Sequence, residues 1–457
     1  MSAFSEFFLM KPDDVKHYAA EVLHRFDPDE ETTCTEIGDG NINYVFRVRS
    51  LRDGRSVIVK QADKRLRSSG RPLDIYRSRI EAQALQLESR LAPDYIPEVY
   101  HYDETMAALS MEDISAYRNL RKELLAGRIY GHLAENISTF LAQSLLPTTD
   151  LVLDRREKKR RVQFFTNPEL CDITEDLVLT EPYWNYKGRN IVTPGNEDFV
   201  RTFLYENDAL HREVGRLRNG FMNNAQALLH GDLHTGSIFA NEQGVKVIDP
   251  EFAFYGPMGY DIGNVIGNLF FSWANRCFTA PQDTAAAQAL EDTIRGVCDL
   301  TAEKLTARYD ELVTFPLYRA EGFCRAYLDG VMADSYGYAG TEIIRRVVGD
   351  SKVMEVTSVT DPDIRIPMER ALIKMGIFLI RERELRCDQS FPRDTGVKEA
   401  ARWNVWTGIC RSCCNMSMWR GLRREKSAFW TAGSIPQRSG SWCARTTTRW
   451  YRPSRTW

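Results

Sequence analysis

Residues 228–251 read LLHGDLHTGSIFANEQGVKVIDPE, and this stretch decides the fold that we predict. The apolar residues at its start and the run at 245–248 are both typical of short β-strands. Asp232 follows the first strand in a tight polar loop, whereas Asp249, 17 residues further on, and Glu251 follow the second strand. A β-hairpin between the two loops would hold the three carboxylates close together.

This arrangement of carboxylates fits ATP-dependent phosphoryl transfer. Such chemistry needs one carboxylate that orients the attacking hydroxyl and accepts its proton, and it needs others that hold Mg²⁺ against the phosphates. We therefore predict that Asp232 is the catalytic residue, that Asp249 holds the metal and that Glu251 assists it. His230 is expected to brace the loop through hydrogen bonds. Either motif alone could be a surface turn, but their order, spacing and position at strand ends favour a catalytic site.

An earlier part of the chain predicts a β-rich lobe. Residues 35–61 read TEIGDGNINYVFRVRSLRDGRSVIVKQ. Two β-rich runs in this segment flank the turn at 52–54, and that pattern predicts a β-hairpin. One helix and two more short strands follow it. The predicted strands cover residues 43–48, 56–60, 96–101 and 107–111, and the helix covers residues 78–90.

The loop GDGNIN at residues 38–43 is typical of a phosphate-binding turn, because small residues let a backbone approach an anion. It matches neither the G-x-G-x-x-G fingerprint nor a Walker loop, so alone it indicates an ordinary turn. Lys60 on the next apolar strand strengthens the argument, since a buried ammonium is costly without an anionic partner. We predict that ATP phosphates and the carboxylate of Glu81 are these partners. A solvated lysine on an edge strand is the alternative.

The second half of the chain is predicted to be mainly helical, because apolar residues recur there at three- and four-residue spacing. The helical segments cover residues 120–143, 197–226, 288–310, 320–337 and 365–385. Strands come first and helices follow, with a small β insertion that carries the carboxylates. This order predicts an α+β fold with two lobes.

Composition excludes several classes of protein. The chain has 457 residues, 43% of them hydrophobic, and a formal net charge of −3, so it carries no charge signal for nucleic acid or a membrane surface. The N-terminus lacks a basic segment before a long apolar run, and no stretch of about 18 apolar residues occurs. Six of the ten cysteines are scattered between Cys34 and Cys387, as expected for reduced thiols. We therefore expect a cytoplasmic protein.

The last part of the chain, residues 397–457, differs from the rest. It holds seven of the nine tryptophans, and 12 Lys or Arg against 2 Asp or Glu. It has no hydrophobic periodicity, which favours a segment that is unstructured or lies outside its natural reading frame. A basic, aromatic surface for nucleic acid or lipid is one alternative. A metal site at Cys410, Cys413 and Cys414 is another, although a fourth ligand at a suitable spacing is missing.

Taken together, these motifs resemble the superfamily of kinases that act on aminoglycosides, choline and methylthioribose. Within it they resemble the methylthioribose kinase family most specifically, over about residues 5–385. The segments that carry this resemblance are EIGDGNINYVFRV at 36–48, IVKQA at 58–62, MEDIS at 111–115, LLHGDLHTGSIF at 228–239, VIDPEFAFYGPMGYDIGNVIGNL at 247–269 and TEIIRR at 341–346. The resemblance implies a protein-kinase-like bilobal fold with an N-lobe at 1–114, a C-lobe at 115–392 and an atypical tail at 393–457.

The resemblance also implies roles for single residues. Asp232 would meet a sugar hydroxyl, and Arg345 and Arg346 would approach the substrate hydroxyls and the transferred phosphoryl group. The residues implied in ATP binding are Asn41, Lys60, Glu112, Asp113, Ile114, Asp249, Pro250 and Glu251. Of these, Glu112, Asp113 and Ile114 would line the adenine pocket. Mg²⁺ would lie on Asp249 and Glu251. Ser237 stands where many kinases carry an asparagine metal ligand, so metal binding would rest more on those two carboxylates.

For the whole chain, the resemblance implies transfer of the ATP γ-phosphoryl group to the 1-hydroxyl of 5-methylthioribose, in methionine salvage, by a homodimer. A kinase for another small hydroxyl compound is the first alternative. A cationic acceptor for such a kinase would call for an acidic pocket, and the pair Arg345 and Arg346 argues against one. A nucleotide-binding pseudokinase scaffold is the second alternative, and the presence of each expected polar residue argues against it.

Overall fold

The computed structural model describes residues 3–37, 43–65 and 74–384. They form an antiparallel β-sheet lobe followed by a mainly helical lobe. This confirms the predicted α+β, protein-kinase-like bilobal fold. The greater part of the GDGNIN loop, with Asn41, and the whole predicted tail at 393–457 lie outside the described residues.

The described residues of the N-lobe form one antiparallel sheet, two α-helices and a short 3-10 helix, Pro93–Tyr95. Its strands are β1 Thr32–Glu36, β2 Asn43–Ser50, β3 Ser56–Ala62, β4 Val99–Asp103 and β5 Ala108–Met111, in the sheet order β1-β2-β3-β5-β4. Its helices are α1 Pro12–Glu21 and α2 Tyr76–Leu91. The predicted β2-β3 hairpin is present, and Gly54 with a φ of +78° lies in its turn.

Strand β3 lies in the middle of this sheet, which explains its apolar sequence. It pairs with β2 on one side and β5 on the other, so Lys60 lies between Val45 and Leu109. The side chain of Lys60 is 9% exposed. It is therefore a buried lysine on a central strand, and the edge-strand alternative is wrong.

The C-lobe holds most of the helices. Those before the catalytic segment are α3 Leu120–Leu125, α4 Leu133–Leu145, α5 Arg155–Phe164, α6 Pro168–Leu177, α7 Glu181–Trp184, α8 Glu197–Val200 and α9 Asp208–Asn223. Those after it are α10 Gly259–Thr279, α11 Thr284–Leu312, α12 Phe323–Val348, α13 Met354–Thr357 and α14 Pro362–Arg381. A π-helical turn, Arg201–Tyr205, follows α8. No helix among the described residues is both long and apolar enough to span a membrane.

Short strands within this lobe position the two predicted loops. They are β6 Arg118–Asn119, β7 Ala227–Leu229, β8 Ile238–Ala240, β9 Val245–Val247 and β10 Phe254–Gly256. Strand β8 pairs with β6 and β9, and β7 pairs with β10. The hairpin that was predicted between the loops of Asp232 and Asp249 is therefore β8-β9.

Helix α10 was not predicted, because it is buried almost all round. Seventeen of its 21 residues are buried, so no polar face marks the helical period. Three of its glycines, at positions 259, 263 and 267, are four residues apart and face α12. A methyl group on Gly263 would lie only 2.6 Å from the carbonyl oxygen of Ser335. The backbones of α10 and α12 are therefore in direct contact.

Three predicted helices have different limits in the structure. The segment at 197–226 is divided into α8, the π-helical turn and α9. The segment at 120–143 forms two helices, α3 and α4, because the chain turns at Gly127, where φ is +82°. Helix α12 continues to Val348, beyond the predicted end at 337. This extension carries Arg345 and Arg346 on its last turns, facing the loop of Asp232.

Candidate active site

Asp232 lies in the loop that follows β7, and two features fix the backbone of this loop. Gly231 has a φ of +83°, and a methyl group on it would lie 2.2 Å from the carbonyl oxygen of Phe252, so only glycine fits there. Asp261 in the first turn of α10 accepts hydrogen bonds from the backbone N–H groups of His230, at 2.7 Å, and Gly231, at 3.0 Å. Helix α10 therefore holds the chain directly before Asp232.

His230 joins the two loops that carry the predicted catalytic and metal-binding carboxylates. Its Nε2 atom lies 2.9 Å from the carbonyl oxygen of Ile248, the residue before Asp249. Its Nδ1 atom accepts a bond of 3.3 Å from the backbone N–H of Asp232. Burial lowers the pKa of His230 to about 4, so the ring is neutral near pH 7 with its hydrogen on Nε2.

Three cationic or proton-donating side chains surround the carboxylate of Asp232. His234 Nε2 lies 3.4 Å from Oδ2, and one Nη2 atom each of Arg345 and Arg346 lies 3.5 Å and 3.6 Å from Oδ1. Burial opposes ionisation, but these neighbours outweigh it and hold the pKa of Asp232 well below its usual range. The side chain is 28% exposed, so an ionised carboxylate faces the cleft.

Ser237 orients His234 toward this carboxylate. Its backbone N–H donates to His234 Nδ1 at 3.0 Å, which leaves the imidazole hydrogen on Nε2, beside Asp232. The Ser237 hydroxyl also lies 3.2 Å from the carbonyl oxygen of Asp232. In this chain the serine therefore stabilises the catalytic loop from within.

Glu342 on α12 anchors both arginines. Its carboxylate accepts from Arg345 Nε at 2.5 Å and from Arg346 Nε at 2.9 Å. Asn268 on α10 donates to the same carboxylate at 3.0 Å. Burial opposes its charge, but the two guanidinium groups lower the pKa of Glu342 to about 2. A buried carboxylate thus holds the two guanidinium groups while their Nη2 atoms point at Asp232.

Lys60 connects the N-lobe with the metal-binding loop predicted at the end of β9. Its Nζ atom lies 2.7 Å from Glu81 Oε1 on α2, and it also contacts the carboxylate of Asp249. Burial disfavours the ammonium ion, but the surrounding carboxylates raise the pKa of Lys60 above its usual range. The predicted pairing of Lys60 with Glu81 is present, although 21 residues separate them.

Glu251 is held by two N-lobe residues: Asn43, at the end of the GDGNIN loop, and Arg77, which the sequence analysis did not single out. Asn43 Nδ2 lies 3.3 Å from Glu251 Oε2, and the guanidinium of Arg77 lies 3.8 Å from the same oxygen. Arg77 in turn donates to Asn43 Oδ1 at 3.1 Å. Burial raises the pKa of Glu251 to about 8, against the opposing effect of Lys60.

The donor set at this place fits Mg²⁺. Asp249 and Glu251 supply hard carboxylate oxygens, the ligand type that this ion prefers. Asp249 has a φ of +76° and is 44% exposed, which turns its carboxylate toward the cleft. No group of three or more His, Cys, Asp or Glu within the described ranges forms a metal site. Two protein carboxylates with phosphate oxygens would be the usual arrangement for Mg²⁺ on a nucleotide.

The predicted adenine segment, Glu112 to Ile114, follows β5 and links the two lobes. The Asp113 side chain serves the link itself, because it accepts from Arg47 Nη2 at 3.2 Å and from the Ser56 hydroxyl at 2.7 Å. The Glu112 carboxylate lies 3.6 Å from Lys246 Nζ. Pro250, also predicted near ATP, is buried between Asp249 and Glu251. The side chains of Glu112 and Asp113 are therefore engaged within the link, so a contact between either residue and adenine would involve the backbone.

Sequence reasoning missed the residues that position the others, among them Asp261, Glu342, Asn268 and Arg121. They lie on three helices, α3, α10 and α12, and meet only after folding. The sequence does mark two of these residues. Asn268 is a polar residue within the mainly apolar run at 262–274, and Asp261 directly precedes that run. Buried polar residues of this kind need partners.

Comparison with known proteins agrees with this geometry. Residues 33–298 match the family model described as "Phosphotransferase enzyme family". The fold and the site therefore define a phosphotransferase. A methylthioribose kinase of Geobacillus sp. is 37% identical over 357 residues, which cover 77% of this chain and 86% of that protein. The chain belongs to the methylthioribose kinase family.

Two further relatives extend this comparison. A methylthioribose kinase of Yersinia pseudotuberculosis is 38% identical over 372 residues, covering 80% of this chain and 91% of that protein. A methylthioribose kinase of Pectobacterium atrosepticum is 38% identical over 373 residues, covering 80% and 92%. The similarity thus spans nearly the whole length of these relatives.

Proposed function

We propose that this protein transfers the γ-phosphoryl group of ATP to the 1-hydroxyl of 5-methylthioribose, giving 5-methylthioribose 1-phosphate and ADP in methionine salvage. Membership of the methylthioribose kinase family supports the substrate. The structural observation that carries the proposal is the ionised Asp232 next to Arg345 and Arg346. Such a site suits a neutral sugar and an anionic phosphoryl group better than it suits a cationic acceptor.

Asp232 would accept a hydrogen bond from the 1-hydroxyl and orient its oxygen for in-line attack on the γ-phosphorus. A bond forms between that oxygen and phosphorus, and the bond from phosphorus to the β,γ-bridging oxygen breaks. The hydroxyl proton passes to Asp232 and then to solvent. Because the pKa of Asp232 is low, the carboxylate is a weak base, so we infer that the proton moves late in the step.

Arg345 and Arg346 would bind oxygens of the transferred group. Charge spreads over these oxygens in a loose transition state, and fixed guanidinium donors stabilise it without reorganisation. Glu342 supports this role because it orients both side chains from behind.

Lys60 would exchange its contact with Asp249 for the ATP phosphates, while Glu81 keeps the ammonium in place. Asp249 and Glu251 would hold Mg²⁺, which would offset the negative charge of the phosphates. The backbone of residues 112–114 would bind adenine. Asn41, outside the described residues, stays a predicted ATP contact on the strength of the resemblance alone.

ADP release from purified full-length protein tests the proposal. We expect strong stimulation of Mg-ATP turnover by 5-methylthioribose and little by choline or an aminoglycoside. Stimulation by an amino alcohol alone would favour a different acceptor class. ATP binding without transfer to any acceptor would favour a pseudokinase.

The family resemblance further leads us to propose a homodimer that works in the cytoplasm. Sedimentation velocity of the purified chain should give twice the mass of 52.5 kDa. A single species at the monomer mass, at concentrations used for the assay, would contradict the dimer.

A further inference from the structure

Arg121, in the first turn of α3, is a third arginine beside the catalytic loop. Its backbone N–H donates to the carbonyl oxygen of Thr235 at 3.1 Å. Its Nη2 atom donates to Asn268 Oδ1 at 3.2 Å, and a methyl group on Gly236 would lie 3.2 Å from Nη1. The guanidinium therefore lies against the loop segment between Asp232 and Ser237.

One edge of this guanidinium has no hydrogen bond within the described part of the chain. Arg121 Nε is buried and unsatisfied, although Glu355 Oε1 lies 3.6 Å away. Both carboxylate oxygens of Glu355, on α13, are also buried without a hydrogen-bond partner among the described residues. Glu355 is 0% exposed and the side chain of Arg121 is 18% exposed, so only the arginine can be reached from the cleft. Buried polar groups ordinarily find partners, so these unpaired atoms call for an explanation.

A polar network connects this pair to the proposed phosphoryl-transfer site. Asn268 accepts from Arg121 and donates to Glu342, which holds Arg345 and Arg346. The charged groups near enough to affect the pKa of Arg121, which burial lowers, are Glu355, Arg346, Glu342 and Asp232. The Arg121 guanidinium thus lies against the loop that follows Asp232, on the side of α3, and the arginine pair on α12 approaches Asp232 from another helix.

We propose that Arg121 binds the 2-hydroxyl of the sugar, the group next to the reacting 1-hydroxyl, and that Glu355 positions Arg121 from behind. This inference rests on the proposed function and adds a specificity subsite to it. The planar fork of arginine can donate to a hydroxyl oxygen while one nitrogen keeps its bond to Asn268. A ligand lacking that hydroxyl would leave a guanidinium donor buried and unpaired, which is a strong basis for rejection.

A cycle of two enzymes and two sugars tests this subsite. For the natural enzyme, 2-deoxy-5-methylthioribose should show kcat/KM about 10- to 100-fold below that of 5-methylthioribose. Arg121→Gln should lower kcat/KM for 5-methylthioribose by a similar factor and should cause little further loss with the 2-deoxy sugar. The 3-deoxy sugar serves as the matched ligand, and Arg121→Gln should lower its kcat/KM as much as that of the full substrate.

Equal losses with all three sugars would overturn the subsite, because Arg121 would then act on structure alone. An unchanged kcat/KM, or a change in Mg-ATP affinity instead of sugar KM, would also overturn it. Arg121→Lys keeps the charge without the fork, and it should retain part of the 2-hydroxyl discrimination. Arg160→Gln, at a side chain 75% exposed on α5, is the control and should match the natural enzyme.

Two readouts separate this inference from the proposed function and from misfolding. Turnover of 5-methylthioribose by the natural enzyme tests the function, whatever the variants do. Thermal unfolding and Mg-ATP affinity show whether Arg121→Gln is folded. Glu355→Gln should raise the KM for the sugar while Mg-ATP affinity stays unchanged, and an unchanged sugar KM would contradict its positioning role.

Discussion

The Nη2 atom of Arg345 lies 3.5 Å from Oδ1 of Asp232, although the two residues are 113 positions apart in the chain. The same guanidinium lies 2.5 Å from Glu342, so the stronger contact is the one behind it. Arg345 is therefore near enough to keep Asp232 ionised, but its contact with Asp232 is long. A phosphoryl oxygen could therefore accept from Arg345 while Asp232 keeps its oxygens for the sugar hydroxyl.

Asp232→Asn should abolish most turnover and spare nucleotide binding. The amide cannot accept the hydroxyl proton, so we expect kcat to fall by about 10²- to 10⁴-fold. Mg-ATP affinity, measured by calorimetry, should change little because Lys60, Asp249 and Glu251 are untouched. Turnover near that of the natural enzyme would remove Asp232 from the role proposed for it.

Glu342→Gln should lower kcat even though this residue would not touch substrate. The change leaves two buried guanidinium groups without their anchor. We expect a fall in kcat of about 10- to 100-fold and a loss of roughly 3 kcal/mol in the free energy of unfolding. Glu384→Gln, with its side chain 73% exposed, is the matched control. A Glu342 variant with unaltered kcat would show that the arginines need no anchor.

Gly231→Ala should damage the catalytic loop, whereas Gly330→Ala should not. The first change adds a methyl group 2.2 Å from the Phe252 carbonyl oxygen at a φ of +83°, so the loop must move. We expect at least about 100-fold lower activity, since catalysis is sensitive to small displacements. Gly330 lies inside α12 with open space at its Cβ, so alanine there should stabilise by about 0.5–1 kcal/mol. Activity assays and thermal unfolding check both variants.

Glu88→Gln should make stability less dependent on pH. Burial, with Asp261 nearby, raises the pKa of Glu88 to about 8 from a usual 4.5. The folded protein therefore keeps a proton that the unfolded chain loses, and stability falls as pH rises from about 5 to about 8. The neutral glutamine avoids this loss, which amounts to roughly 3 kcal/mol.

Thermal unfolding at pH 5 and pH 8.5 checks this prediction. The variant and the natural protein should unfold at similar temperatures at pH 5, and the variant should unfold at the higher temperature at pH 8.5. Some slope should remain in both, because burial also raises the pKa of Asp261 to about 7. Parallel curves for the two proteins would show that Glu88 is not the titrating group.

Local patterns predicted much of the N-lobe and the loops on either side of β8-β9, but not helix α1 or strand β1. The β2-β3 hairpin, helix α2 and the two loops flanking β8-β9 depend on turns and on residues near in sequence. Helix α10 was missed because it has no polar face. The end of α12 was missed because its polar residues Glu342, Arg345 and Arg346 point inward, against the usual amphipathic pattern.

Contacts between distant segments explain what else could not be predicted. Asn43 meets Glu251 across 208 residues, and no local signal marks either as a partner of the other. Arg121 and Glu355 meet for the same reason, since each belongs to a short helix whose place depends on the folded lobe. The roles of Asn41 and of the tail at 393–457 stay predictions.

The direct contact of α10 with α12 at Gly263 has a consequence for how this enzyme tolerates variation. Helix α10 carries Asp261 and helix α12 carries the arginine pair. The distance between the two helices is set by a backbone contact at Gly263, where no side chain can rearrange to make room. An alanine at Gly263 would act as a wedge, and a shift of about 1 Å at the arginines is enough to impair catalysis. A survey of random variants should therefore score Gly263 as if it were a catalytic position, although it lies away from the chemistry.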